Sequence, residues 1–205
     1  MKKSTSILIN IALFAVVVFL AFKVVQSIQA PIKFGNEQKK RETEVVKRLI
    51  NIRDAEVQYK QANNCYTASF DTLIAFCKVA EIPIVNIIPD PTDTTFTRTI
   101  NDTIGYVKVM DSIFGSGKNF DINDLRNVPF SNPTQEFELQ AGFITRSNIK
   151  VPVFQAQTPY EVYLNGMDQQ RVLNAKAEKE SIFRYAGLKV GSMEENSTDG
   201  NWEKL

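Results

Sequence analysis

The chain has 205 residues, no histidine, two cysteines and a formal net charge of +1. That length accommodates one domain with its own hydrophobic core once a membrane anchor is set aside. Mixed charges without a basic stripe exclude a nucleic-acid binder. The absence of histidine removes the commonest general base, zinc ligand and pH switch, leaving carboxylates, Lys, Tyr, Ser and the two thiols for any chemistry.

From Ser4 to Phe22 the chain reads STSILINIALFAVVVFLAF, without a formal charge and close to the ~20 residues a helix needs to cross a bilayer. We therefore read residues 1–30 as a cytoplasmic tail and an uncleaved single-pass anchor, and residues 31–205 as a domain in the periplasm of a bacterium whose inner membrane holds the span. A cleavable signal peptide is the competing reading, with Lys2 and Lys3 as its basic region. Against it, Lys23 interrupts the approach to the cleavage site and the bulky Ile28 stands where a small residue is wanted. Charge does not set the orientation, because Lys23, Lys33, Lys39, Lys40 and Arg41 outnumber the lysines before the span. The long C-terminal part is what favours export, a membrane-tethered cytoplasmic domain being the alternative. Asn10, inside the span, is a candidate helix–helix contact, or is solvated near the interface.

Pro31 and Gly35 predict a break or kink past the membrane, followed by an amphipathic helix from about Gln38 to Ala62. Val45, Leu49, Ile52 and Tyr59 fall on a four–three spacing, with Val46, Ile50 and Val57 beside them, while Glu42, Glu44, Lys47, Arg48 and Lys60 face water. Asn63-Asn64 closes this helix, and a turn leads into a short second helix capped by Ser69. Cys65 and Cys77 bracket that motif. They form a disulfide or stand as two separate buried thiols, and the spacing leaves both open. From Ile82 onward, short apolar runs between Pro, Asn, Asp and Gly predict strands at Thr95–Ile100, Gly105–Met110, Phe137–Phe143 and Val151–Ala156, with Pro152 at an edge or strand start. Pro89-Asp90-Pro91-Thr92-Asp93 and Asn132-Pro133 read as loops, and Asp168 caps a helix reaching Lys179. The fold class is α+β: a long helix packed on a largely antiparallel sheet.

No P-loop, dinucleotide fingerprint, nucleophile elbow or metal-ligand cluster is present, and no cofactor is expected. Gly115-Ser116-Gly117-Lys118 lacks the spacing of a phosphate loop and reads as a turn. Asp121, Asp124 and Arg126 read as a capped turn with an ion pair rather than an acid–base pair. The segment from Glu194 to Asn201 offers oxygen ligands for a weak Ca²⁺ site. Asp71-Thr72-Leu73, Asp102-Thr103-Ile104 and Asp111-Ser112-Ile113 resemble the acceptor pattern for O-glycosylation of exported proteins in some bacteria.

The span, the helix and IRDAEVQYKQANNCYTASFDTLIAF together resemble the N-terminal half of type IV pilins and type II secretion pseudopilins. Gly187-Leu188-Lys189-Val190-Gly191 and Asp199-Gly200-Asn201-Trp202 are similar to the tail of the major pseudopilins. The resemblance implies a membrane helix continuing into the spine of a small antiparallel sheet. The prepilin peptidase site, a Gly closing a short basic leader, is missing, as is the early Glu of the apolar run. The chain as a whole is similar to an uncharacterised family of bacterial membrane-anchored proteins through IKF, SFDTLI, VPF, VFQA and GLKVGSMEE.

Together these readings predict a non-catalytic, membrane-anchored scaffold or assembly component of an envelope machine, such as a secretion or pilus-like apparatus. Its expected partners are the membrane, other envelope proteins and a second copy of the chain. Asn10, Phe114, Phe130 and Trp202 are the candidate contact residues. The rival is a membrane-tethered ligand-binding or sensory domain, which a pocket with convergent polar groups would favour. An enzyme ranks third, since it would need a pKa-shifted carboxylate or Lys in a cleft.

Overall fold

A computed structural model describes residues 3–89, 99–115 and 121–203. The spine is one helix, α1 (Lys3–Asn63), about 90 Å long at 1.5 Å per residue. The break expected at Pro31 and Gly35 does not occur, and the helix runs through both positions. Pro31 forfeits one backbone hydrogen bond, a loss of about 3 kcal/mol. That local cost does not end a helix whose upstream half is a continuous apolar run and whose downstream half is held by packing.

The two halves of α1 meet different surroundings. None of the apolar stretch near the N-terminus is buried against the rest of the chain, and Phe14, Val16 and Phe22 are 70%, 54% and 64% exposed. A core helix of a water-soluble domain would have these side chains covered. Among the described residues α1 is the one helix long and apolar enough to span a membrane. Further along, Val45, Leu49, Ile52 and Ala55 are wholly buried, and Val46 and Tyr59 pack at the margin of the same core. The predicted stripe is thus the face on which the domain assembles.

Against that face lies an antiparallel sheet of β3 (Glu138–Arg146), β4 (Ile149–Pro159) and β5 (Gly187–Gly191), in the order β3-β4-β5. α1 packs on β4 and β5. β4 alternates buried Val153/Phe154, Ala156 and Thr158 with half-exposed residues, as a strand covered on one face does. β5 pairs with β4 only over Gln155–Pro159, so Pro152 lies where β4 has one neighbour and its missing N–H leaves no gap in that second ladder. The tail closes the other edge of β5: the Gly191 N–H donates to the Asp199 carbonyl at 3.0 Å and the Asn201 N–H to the Lys189 carbonyl at 2.9 Å.

Helix α2 (Phe70–Val79) begins at Ser69, whose hydroxyl accepts the Thr72 N–H as expected, and it turns Phe70, Leu73, Ile74 and Cys77 into the core. A second sheet contains only β1 (Glu81–Pro89) and β2 (Thr99–Lys108), paired antiparallel. The residues 105–110, expected as a strand of their own, divide between β2 and the short helix α3 (Val109–Phe114), and 95–98 lie outside the described residues. β1 was not anticipated, because Pro83 and Pro89 within a nearly continuous apolar run obscure the strand signature. A 3-10 turn (Ile122–Arg126), the short α4 (Tyr160–Tyr163) and α5 (Gln169–Ser181) complete the domain. Asp168 caps α5 as predicted, accepting the Arg171 N–H.

Gly191 tests this closure. Its φ is +76°, and a Cβ there would stand 2.3 Å from the Phe154 carbonyl oxygen. Gly191→Ala is expected to lower stability by about 2 kcal/mol or more through combined backbone strain and collision. The check is thermal unfolding of the full chain in detergent, with Gly35→Ala, where nothing lies within 4 Å, as the neutral comparison.

Candidate functional site

Two places concentrate polar groups in ways that ordinary surface chemistry does not explain. The first is sealed inside the core. Glu56 falls on the buried stripe of α1 and has no exposed surface. Its Oε2 accepts the Thr67 N–H at 3.1 Å, while Oε1 has no hydrogen-bond partner. Burial pushes its pKa up to about 8, the Thr67 N–H opposing, so the carboxyl is held neutral at physiological pH. Burial, with Glu56 adding to it, pushes the Cys77 thiol up to about 12. A thiol so raised is a poor nucleophile, and no substrate reaches a carboxyl with no exposed surface. This cluster ties the turn after α1 back to the helix. It was missed at the sequence level because a Glu among Lys and Arg on a helix reads as a solvated face.

The second place is a cleft of about 370 Å³, open to solvent, between α1, the C-terminal end of α5, β5 and the tail. Tyr160, Phe183, Tyr185 and Trp202 supply its rings, and Lys179, Arg184 and Lys189 its cations. Phe183 is completely exposed and holds a φ of +54°, in a region L-residues seldom occupy. Asn201 braces one wall, its amide nitrogen donating to the Gly187 carbonyl at 2.9 Å and its amide oxygen accepting the Lys189 N–H at 3.2 Å. Burial, with Glu42 and Glu178 beside it, pushes the Tyr160 hydroxyl to about 12. Glu42 reaches the cleft from α1, its Oε1 accepting the Gln38 amide at 2.8 Å. The neighbouring Tyr163 is wholly buried, its hydroxyl next to Glu42 yet without a hydrogen bond of ordinary geometry.

The candidate contact residues separate. Asn10 is exposed on the apolar half of α1. Phe114, a candidate exposed aromatic, is buried at 6% exposure, because α3 turns its last residue into the core before Gly115 ends the helix. Phe130 is 42% exposed and lies 5.2 Å from the Arg41 guanidinium, which also donates to the Tyr163 and Asn165 carbonyls. Trp202 is half-buried, its ring so close over Gly200 that a Cβ there would stand 2.4 Å away. Cys65 is a half-buried and Cys77 a buried free thiol.

The other candidates resolve simply. Asp121 caps the 3-10 turn through the Asn123 N–H, and Arg126 pairs with Asp71 and Glu136 rather than with Asp124. Among the described residues no group of three or more Asp, Glu or Cys is placed to hold a metal ion. In the Glu194–Asn201 segment the Glu194 and Glu195 N–H groups donate to the Ser192 hydroxyl and the Asp199 N–H to the Ser197 hydroxyl. Ser116, Gly117 and Lys118 lie outside the described residues. Thr72, Thr103 and Ser112 are all exposed. No family model, curated protein or solved structure matches the chain.

Glu56 carries a pH dependence with a definite sign. Below about pH 4.5 the carboxyl is protonated whether the chain is folded or unfolded. Between about 4.5 and 8 only the folded state keeps the proton, so this group makes stability fall as pH rises, and above about 8 the loss is complete. Glu56→Gln, which imitates the neutral acid, is expected to remove that slope and to gain on the order of 1–3 kcal/mol over the parent at pH 8. Urea unfolding from pH 4.5 to 8.5 reads it, and an unchanged slope in the variant would contradict the assignment.

Proposed function

We propose that this chain is a non-catalytic scaffold or assembly component of a bacterial envelope machine of the secretion or pilus-like kind. On this reading α1 anchors it in the inner membrane and carries a pilin-like domain in the periplasm. The observation that supports it most is the β1–β2 hairpin. A two-stranded sheet is marginally stable in water unless something covers it, and among the described residues no third strand pairs with this one. Its base is tied to the domain, through the Val109 N–H donating to the Ala80 carbonyl at 3.0 Å and through α2 and α3. Beyond the base, Ile84, Val85, Ile88, Ile104 and Tyr106 are 41–68% exposed. Five large apolar side chains exposed over the two faces of one ribbon are more than scattered surface residues and support a partner-binding role.

The element order adds support: a helix whose first part is apolar on all sides and whose second part is the spine of an antiparallel sheet is what the pilin resemblance implies.

A photo-reactive amino acid at position 104 or 106 tests the assignment in intact cells. Each is expected to yield a discrete cross-linked envelope protein or a dimer of this chain, whereas the same probe at exposed Thr43 yields none. Ile104→Asp with Tyr106→Asp is expected to abolish co-purification of that partner without lowering the unfolding temperature. A monomer in detergent with no specific adduct from either position would sink the reading.

A further inference from the structure

We propose that the cleft formed by α1, the end of α5, β5 and the tail binds an acidic carbohydrate, its acid groups held by Lys179, Arg184 and Lys189 and its ring faces laid on Phe183, Tyr185 and Trp202. The inference does not rest on the assembly reading, since it concerns a different surface and needs no partner protein.

Three features of the cleft bear on what it could hold. Lys176 and Arg171 on α5 are in ion pairs, with Glu161 and Glu180 and with Asp168. Lys179, Arg184 and Lys189 take no ion pair among the described residues, so three cations line one concavity against the single carboxylate of Glu42. Such an arrangement focuses a positive potential on whatever enters. Phe183 takes the left-handed conformation that ends α5, its N–H donating to the Glu180 carbonyl and the Arg184 N–H to the Lys179 carbonyl, each at 3.0 Å, and this turn leaves the Phe183 ring fully exposed at the cleft. Glu42, finally, brings a carboxylate acceptor to a wall whose other charged groups are cationic.

These groups select the ligand class. Cations require an acid, a carboxylate acceptor requires hydroxyl donors, and flat aromatic faces require an apolar surface of matching shape. An acidic sugar offers all three, its hydroxyls around the ring edge and its C–H bonds on the ring face. The volume of about 370 Å³ is at the small end of ligand sites, and the open side lets a chain continue beyond the units bound. A lipid headgroup fits poorly. Glu42 lies about 30 Å along α1 from the end of the uncharged run at Phe22, taking 1.5 Å per residue, beyond the headgroup layer of a bilayer crossed by that run.

Trp202 is the chain's single tryptophan and lines the cleft, so its fluorescence reports occupancy directly. The full-length protein in detergent is titrated with a uronic-acid tetrasaccharide, with its carboxyl-reduced neutral counterpart, with adenosine monophosphate and with phosphatidylglycerol vesicles. We expect a saturable change with the acidic tetrasaccharide, weakened by added salt, and at least a tenfold weaker response to the neutral sugar. Phe183→Ala and the Lys179→Ala/Arg184→Ala pair are each expected to weaken binding at least tenfold with the unfolding temperature unchanged. No saturable change with the acidic sugar, equal binding of the neutral one, tighter binding of the nucleotide or the vesicles, or undiminished binding by both variants would each overturn the proposal.

Discussion

Everything in this fold hangs on the division of α1 into an uncovered apolar stretch and a packed stripe. Its apolar N-terminal stretch has no protein covering it, while the stripe of Val45, Leu49, Ile52 and Ala55 has no exposure at all. In lipid a helix is stable because its backbone groups are all paired internally; in water it is stable because one face is packed. The first stretch of α1 is apolar and long enough for the one condition, the second is packed as the other requires, and the helix runs through Pro31 between them. The sheet, α2 and α3 all assemble on the packed half, so the loss of its stripe would leave the rest of the chain without a core.

Within that stripe the exception is instructive. Glu56 occupies a position that the helical period assigns to an apolar residue, and its one hydrogen bond, from the Thr67 N–H, fixes the turn that delivers α2 to the core. A neutral acid here costs less than a buried charge but still leaves Oε1 without a partner. Specific placement of the turn is thus obtained at some expense of stability. Arg48 and Arg41 hold the other loops in the same manner, through the Asp124 carbonyl and through the Tyr163 and Asn165 carbonyls. Residues that periodicity assigns to the wet side of α1 therefore serve as its attachments.

The two surfaces with functional character are of opposite kinds. The β1–β2 ribbon is aliphatic and projects from the domain, whereas the cleft beside β5 is aromatic, cationic and concave. They draw on separate elements.

Local pattern alone determined the span, the amphipathic stripe of α1, the Ser69 and Asp168 caps, the α+β class and the turn character of Asp121–Arg126. Each of these follows from spacing within one element, or from one side chain and the backbone a few residues away. What required the tertiary structure was every feature assembled across the chain. Phe114 is buried rather than exposed because α3 turns back into the core. β1 is a strand despite Pro83 because β2 pairs with it. Glu56 is neutral because α2 and the turn at Thr67 close over it, and Glu42, Lys179, Phe183, Lys189 and Trp202, spread over most of the sequence, line one cleft. A single side chain carries its charge and shape in its own sequence, but its exposure and its company are set by segments far away in the chain.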